Sequence, residues 1–241
     1  MYAYLIGVLL TFLFWLVFFV FKPSIRKAMI WTGFAYVAFN LFLLGLWHLF
    51  GLFMYVGESL IPSYWDPEML FDLGRWTGVL GIEDLFYIFF IGGGAACLYE
   101  YVSHHKISEK RTYRPHLLSL IVCASVFIVL AHFLPYNILY SNVIATMCGV
   151  FVLWFQRRDL IYHSFVGGLV FLFLYVIGYE IFLVIFPGFI QNAYSLNNLS
   201  GVFLFGLPLE EFLYAFSSGM LLAPLYEYVH GEKCIKEKRY R

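Results

Sequence analysis

Residues 80–102 read LGIEDLFYIFFIGGGAACLYEYV, and residues 207–229 read LPLEEFLYAFSSGMLLAPLYEYV. Laid over each other at a constant offset of 127, they need no gap and share 11 of 23 positions. Each opens on an acidic pair, Glu83-Asp84 and Glu210-Glu211, and each closes on Leu-Tyr-Glu-Tyr-Val. Nearly everything between is apolar. One chain therefore twice places two carboxylates near the start of a hydrophobic helix.

The surroundings decide what kind of helix this is. Of 241 residues 62% are apolar and only 12% charged, where a soluble domain carries roughly a quarter charged residues. Apolar runs of about 20 residues, enough to cross a hydrocarbon core of ~30 Å, recur along the chain. We read an all-α integral membrane protein forming a single membrane domain over 1–241. Seven transmembrane helices are predicted, at 2–21, 29–57, 79–102, 116–134, 137–155, 160–187 and 204–229. The first has neither a positive n-region nor a small-residue cleavage site, so it does not read as a removed signal peptide.

Charge sets the orientation. Lys22, Arg26 and Lys27 follow the first span, Lys106, Lys110, Arg111 and Arg114 the third, and Arg157 and Arg158 the fifth. Lys233, Lys236, Lys238, Arg239 and Arg241 form the tail, so 14 of 15 Lys and Arg fall on one side and only Arg75 opposes them. By the positive-inside rule this predicts a multi-pass cell-membrane protein with the N-terminus outside and the C-terminus cytoplasmic. An odd number of spans satisfies that rule. Membrane lipid is the expected surrounding, and no nucleic-acid partner is expected. Cys97, Cys123, Cys148 and Cys234 show no CxxC spacing, and three lie within spans, where Cys behaves as a small hydrophobe.

The matched segments are the third and seventh spans, and both run from outside to cytoplasm. The chain then reads as two parallel three-helix repeats, 1–105 and 137–241, joined by a connector helix at 116–134. Parallel repeats of this kind place a shared site at the pseudo-twofold interface. Glu83, Tyr87, Phe89, Gly92 and Glu100 recur as Glu210, Tyr214, Phe216, Gly219 and Glu227. A carboxylate at membrane depth is costly unless it faces protein or water, so its retention in both copies argues for use.

Glu83 and Glu210 fall about one turn into their spans, and Tyr87 and Tyr214 lie four residues on, on the same face. Asp84 and Glu211 sit about 100° around the helix. Two close carboxyls in a low dielectric do not both ionise cheaply, and the one that keeps its proton can act as a general acid. Pro208 suits a first helical turn, where no backbone donor is lost. The plainer reading makes these acids helix caps at the outer surface. For Glu100 and Glu227 the sequence favours interfacial anchoring, with tyrosines in the headgroup layer and the glutamates snorkelling outward. Glu180, mid-span in the sixth helix, is a further intramembrane carboxyl of candidate functional use. His48 and His132 read as packing residues. The run Gly92-Gly93-Gly94 lacks the spacing of a dinucleotide loop, and close helix packing explains it better. Aromatics form 22% of the chain; an acid in an aromatic cavity suits a long apolar polyene and the cation that protonation makes of it.

The duplicated unit with Pro208-Leu209-Glu210-Glu211 resembles the lycopene cyclase domain, found in small heterodimeric bacterial cyclases and in fused archaeal and fungal ones. The resemblance spans essentially the whole chain, although Gly81-Ile82-Glu83-Asp84 lacks the proline in the first copy. It implies a lycopene β-cyclase type of enzyme, an isomerase (intramolecular lyase) of carotenoid biosynthesis. Such an enzyme turns linear ψ-ends into β-ionone-type rings without net redox change. An acid protonates C2, the C5=C6 double bond attacks the C1 cation, and a base removes a proton. On this reading Glu210 and Glu211 are the principal catalytic candidates, with Glu83 and Asp84 as counterparts. Tyr87, Tyr214, Phe89, Phe216 and Glu180 would contact a substrate such as lycopene or a related linear carotenoid. No cofactor and no metal are expected, and the cysteine spacing suggests neither a disulfide framework nor a zinc site.

Other readings are a carotenoid hydratase, another isoprenoid-modifying membrane enzyme, or a proton-coupled transporter. Prenyl transfer from a diphosphate needs Mg²⁺ on aspartate clusters, and the four aspartates, Asp66, Asp72, Asp84 and Asp159, form none. A transporter should show helices broken near midplane, whereas these acids lie near span ends. A retinal photoreceptor fails because the seventh span has no lysine for a Schiff base. A purely structural assembly protein leaves the paired acids without a role.

Overall fold

The computed structural model describes residues 3–51, 65–70, 73, 80–103, 105–107, 113–114, 116–134, 137–196 and 199–236. The sequence positions of Arg75, Lys110, Arg111, Lys238, Arg239 and Arg241 lie outside these, as do the side chains of His48 and His132. The chain is mostly helical. Its principal helices are α1 (Ala3–Phe21), α2 (Arg26–Gly51), α3 (Ile82–Ser103), α4 (Leu118–Ile128), α5 (Ile138–Gln156), α6 (Ile161–Ile185), α7 (Phe189–Ala193), α8 (Leu209–Leu222) and α9 (Leu225–His230). Among the described residues five helical segments are long and apolar enough to cross a membrane: Ala3–Phe21, Pro23–Leu46, Ile82–Ser103, Ile138–Gln156 and Arg158–Ile185. The apolar connector is shorter, and α4 runs on into a π-helical turn, Val129–Phe133.

The seventh stretch departs from the sequence expectation of one continuous span over 204–229. It begins as a tight hairpin, β2 (Phe203–Leu204) against β3 (Leu207–Pro208), so the helix starts only at Leu209. It is then interrupted at Ala223-Pro224 and resumes as α9. The cause is Pro224, which has no N–H to give to the carbonyl four residues back. That carbonyl belongs to Met220, and the Ser164 hydroxyl of α6 donates to it instead, at 2.6 Å. A neighbouring helix thus satisfies the acceptor that proline leaves behind, as a water-free interior requires.

Two stretches of the chain, from α1 to α2 and from α5 to α6, follow the same order of elements 135 residues apart. Helices α1 and α5 each have 19 residues. Each is followed by one extended residue, Lys22 (φ −126°, ψ 75°) or Arg157 (φ −132°, ψ 76°), and then by a three-residue 3₁₀ turn, Pro23–Ile25 or Arg158–Leu160. Long helices of 26 and 25 residues come next. Packing follows the same scheme: α3 lies against α1 and α2, and α8 against α5 and α6, while α4 packs on α5 and α3 also touches α6.

Small residues make these seams close. A Cβ at Gly92 would stand 2.9 Å from Cβ of Tyr36 on α2, and one at Gly219 would stand 2.7 Å from Cβ of Phe171 and 3.0 Å from Cα of Gly168 on α6. A Cβ at Gly93 would come within 2.6 Å of the Met29 carbonyl. The glycine run is therefore a packing surface, in keeping with the preference for small residues where apolar helices must approach.

The basic joints gather at one pole. Lys22 stands over the Tyr101 ring, Trp31 packs on His230, and Arg157 lies over the Tyr113 ring at 3.9 Å. Strand β1 (His105–Ile107) pairs antiparallel with β4 (Cys234–Lys236), His105 opposite Lys236. The acidic pairs lie at the other pole, where Trp65 bridges to Tyr194 and Asp66 N–H donates to the Ala193 carbonyl at 2.8 Å.

Candidate active site

All four paired carboxyls are buried: Glu83 and Asp84 in the first turn of α3, Glu210 and Glu211 in the first turn of α8. Their side chains do not point the same way. Adjacent residues on a helix stand about 100° apart, and here that angle separates two kinds of neighbour.

The first acid of each pair turns back to the loop that precedes its helix. Glu83 Oε1 accepts from the Leu70 N–H at 2.5 Å. Glu210 Oε1 accepts from the Ser200 N–H at 2.7 Å and from the Tyr140 hydroxyl. The second acid of each pair turns inward. Asp84 Oδ1 accepts from the Tyr4 hydroxyl at 2.6 Å and the Trp65 indole N–H at 3.1 Å, and Oδ2 from the Gly81 N–H at 2.9 Å. Glu211 Oε2 accepts from the Tyr175 hydroxyl at 2.5 Å.

Asp84 and Glu211 line one cleft together with Tyr4, Tyr87, Tyr175, Tyr179, Tyr194 and Tyr214. Trp65, Asn40 and Asn142 add further polar groups, and Leu43, Leu44, Phe127 and Ile138 add apolar wall. A second cleft, more apolar, shares Tyr4, Trp65, Tyr87, Tyr175 and Tyr179 with the first and is also lined by Phe14, Ile91, Phe171 and Phe182. The two clefts thus border on the same tyrosine-rich wall, and the carboxyls belong to the first of them. Phenols tie the wall together, Tyr179 to Tyr194 at 2.8 Å and Tyr36 to Tyr214 at 3.1 Å. Ring pairs such as Tyr175–Tyr179, centroids 4.9 Å apart, hold the faces in place. Carboxyls beside aromatic faces can exchange a proton with a hydrocarbon and shield the cation that results.

Several sequence expectations need correction. Glu83 and Glu210 do not face the cleft; the members of each adjacent pair hold separate partners and so need not share a proton. Tyr87 and Tyr214 do line the cleft, but with the acid three residues before each, not with the one four before. Phe89 and Phe216 are absent from both clefts and pack between helices instead: the Phe89 ring on Gly33, Trp15 and Phe34, and the Phe216 ring on Phe165. Glu180 also lies outside the clefts, half-buried on α6. Its Oε1 is buried without a hydrogen-bond partner. Glu100 and Glu227 do not snorkel; they are 0% and 1% exposed.

Sequence reasoning missed Tyr4, Trp65, Tyr175, Tyr179 and Tyr194. None belongs to the gap-free repeat, so the duplication that exposed Glu83 and Glu210 carried no signal for them. Tyr175 and Tyr179 do stand four apart in α6, a spacing that puts both phenols on one face.

Comparison with curated proteins and with solved structures gives no match. The family described as lycopene cyclase matches residues 2–102 and 137–229, the larger part of the chain. The matched regions contain α1–α3 and both acidic pairs, and they pass over 103–136, where α4 lies. This chain belongs to the lycopene cyclase family, with a carotenoid-cyclising role and an apolar helical body to match.

Proposed function

We propose that the protein is a lycopene cyclase of the β type, an isomerase that closes ψ-end groups by proton-initiated cyclisation, with Asp84 and Glu211 exchanging the proton. The observation that carries this reading is the convergence of Asp84 and Glu211, equivalent residues of two copies, on one aromatic cleft. A proton enters at C2, the C5=C6 double bond closes on the C1 cation, and a proton leaves to give the ring alkene. Electrons balance within the substrate, so the reaction asks for no flavin or nicotinamide. Tyr4 and Tyr175 position the two carboxyls, while the faces of Tyr87, Tyr179 and Tyr214 stand where a cation would be shielded. Glu83 and Glu210 are positioning residues that fasten loops to the N-terminal turns of α3 and α8.

The architecture we propose is seven spans in two parallel three-helix units, 1–105 and 137–241, with α4 as connector. The shared sequence of helix, extended residue, 3₁₀ turn and long helix supports it, as does the equivalent packing of α3 and α8. With the basic pole cytoplasmic, the carboxyls lie near the outer side. A reporter fused to the C-terminal tail should be readable only from the cytoplasm; a tail accessible from outside would overturn this orientation.

Expression of the full chain in a lycopene-making host, with chromatography of the pigments, tests the activity. Ring-bearing hydrocarbons without oxygen are expected. Hydroxylated linear products would point to a hydratase, and unchanged lycopene with the protein present in the membrane would sink the proposal.

A further inference from the structure

The two Leu-Tyr-Glu-Tyr-Val endings meet at the basic pole, far from the cleft. Glu100 near the end of α3 and Glu227 in α9 are joined there by His163 from the first turn of α6, and all three are buried, none more than 2% exposed. One ligand-type atom from each lies within 4.8 Å of the other two. His163 Nε2 is 3.4 Å from Glu100 Oε1. The imidazole is held flat on the Tyr99 ring, centroids 4.0 Å apart and planes 24° apart. Three elements thus each bring one donor to a single point.

Charge sharpens the question of what belongs at that point. Two carboxylates inside an apolar helical body are costly without a cation. A divalent ion would neutralise both carboxylates at once, and the His163 imidazole offers it a ring nitrogen.

We propose that Glu100, His163 and Glu227 bind a zinc ion that ties α3, α6 and α9 together. Zinc takes nitrogen and carboxylate oxygen at about 2.0–2.2 Å in a tetrahedron, whose edges are then about 3.4 Å. The His163–Glu100 separation of 3.4 Å matches such an edge, and all three ligand atoms lie within 4.8 Å of one another. Three protein ligands leave the fourth position to water. The site is single although the scaffold is doubled: the two glutamates are repeat equivalents, whereas the residue 135 before His163 is Ala28, which offers no ligand. Glu83 and Glu100 are 17 residues apart on one helix, about 25 Å along its axis. The ion is therefore structural and stands outside the cyclisation chemistry.

Full-length protein purified in mild detergent without chelators should carry one zinc ion per chain by mass spectrometry of its metals. Cobalt(II) in its place should give visible absorption of tetrahedral intensity. His163→Phe keeps a ring against Tyr99 but removes the nitrogen, and with Glu100→Gln or Glu227→Gln it should weaken zinc by more than the roughly 100-fold typical of lost supporting contacts. Wild-type protein that holds no zinc and neither takes it up nor gains thermal stability from it would overturn the proposal. That result would leave a proton-sharing His–carboxylate cluster instead. Full zinc content in the double variant Glu100→Gln/Glu227→Gln would overturn it equally. The wild-type metal content and cobalt spectrum decide the matter even where a variant does not fold.

Discussion

Glu211→Gln and Asp84→Asn should each lower cyclisation by roughly 10²–10⁴-fold, the range general acid–base groups contribute. Both substitutions keep shape and hydrogen-bonding capacity but supply no acidic proton. The Tyr175 hydroxyl can still donate to the new amide oxygen of residue 211, so the wall keeps its form. Loss of a buried ionisable group also relieves desolvation, so stability should hold. The informative contrast is with the neighbours. In Glu210→Gln the side-chain carbonyl can still accept from Ser200 N–H and Tyr140, and in Glu83→Gln from Leu70 N–H. These two variants should retain most of their turnover. Pigment yield per unit of folded membrane protein reads all four. A loss in Glu210→Gln equal to that in Glu211→Gln would show that facing the cleft is not what makes a carboxyl catalytic here.

The repeat made the acids legible, and the family resemblance followed from them, but which acid faces inward was not. A gap-free alignment gives register, not direction. Glu83 and Asp84 differ by one position, and only the neighbours of α3 and α8 decide which side is cleft and which is loop. The same limit explains Phe89 and Phe216. Their recurrence in the sequence is plain, yet Phe89 packs beside Gly33 and Phe216 against Phe165, away from the clefts. Glu100 and Glu227 misled in the opposite sense. Flanking tyrosines made them look interfacial, whereas a cross-element meeting with His163, over sixty residues away in either direction, has no local signature. That Ser164 donates to the carbonyl Pro224 leaves open was not legible either, because the hydroxyl comes from another helix.

Arg157 is the other place where a large effect is expected, and on stability, not chemistry. The sequence put it among cytoplasmic positive charges, where a typical Arg is solvated, but it is 1% exposed. Its guanidinium meets Asp159 through two nitrogens at 2.9 Å, donates to the Glu227 carbonyl at 3.2 Å and the Glu232 carbonyl at 2.9 Å, and covers the Tyr113 ring. One planar cation therefore holds the end of α5 to the end of α9 and to the segment before α4. Arg157→Leu keeps much of the bulk and leaves Asp159 and two carbonyls without their donor. Breaking a buried pair on one side costs about 3–5 kcal/mol, so the variant should unfold at a markedly lower temperature in detergent and expose its C-terminal tail to protease. Arg157→Lys retains the charge but not the fork that serves four acceptors, and it should fall between the two. Asp159 is a quarter exposed and can be met by water, so Asp159→Asn should cost much less. That order separates the carbonyl contacts from the salt bridge: if Asp159→Asn were as damaging as Arg157→Leu, the ion pair and not the clamp on α9 would be what holds this pole closed.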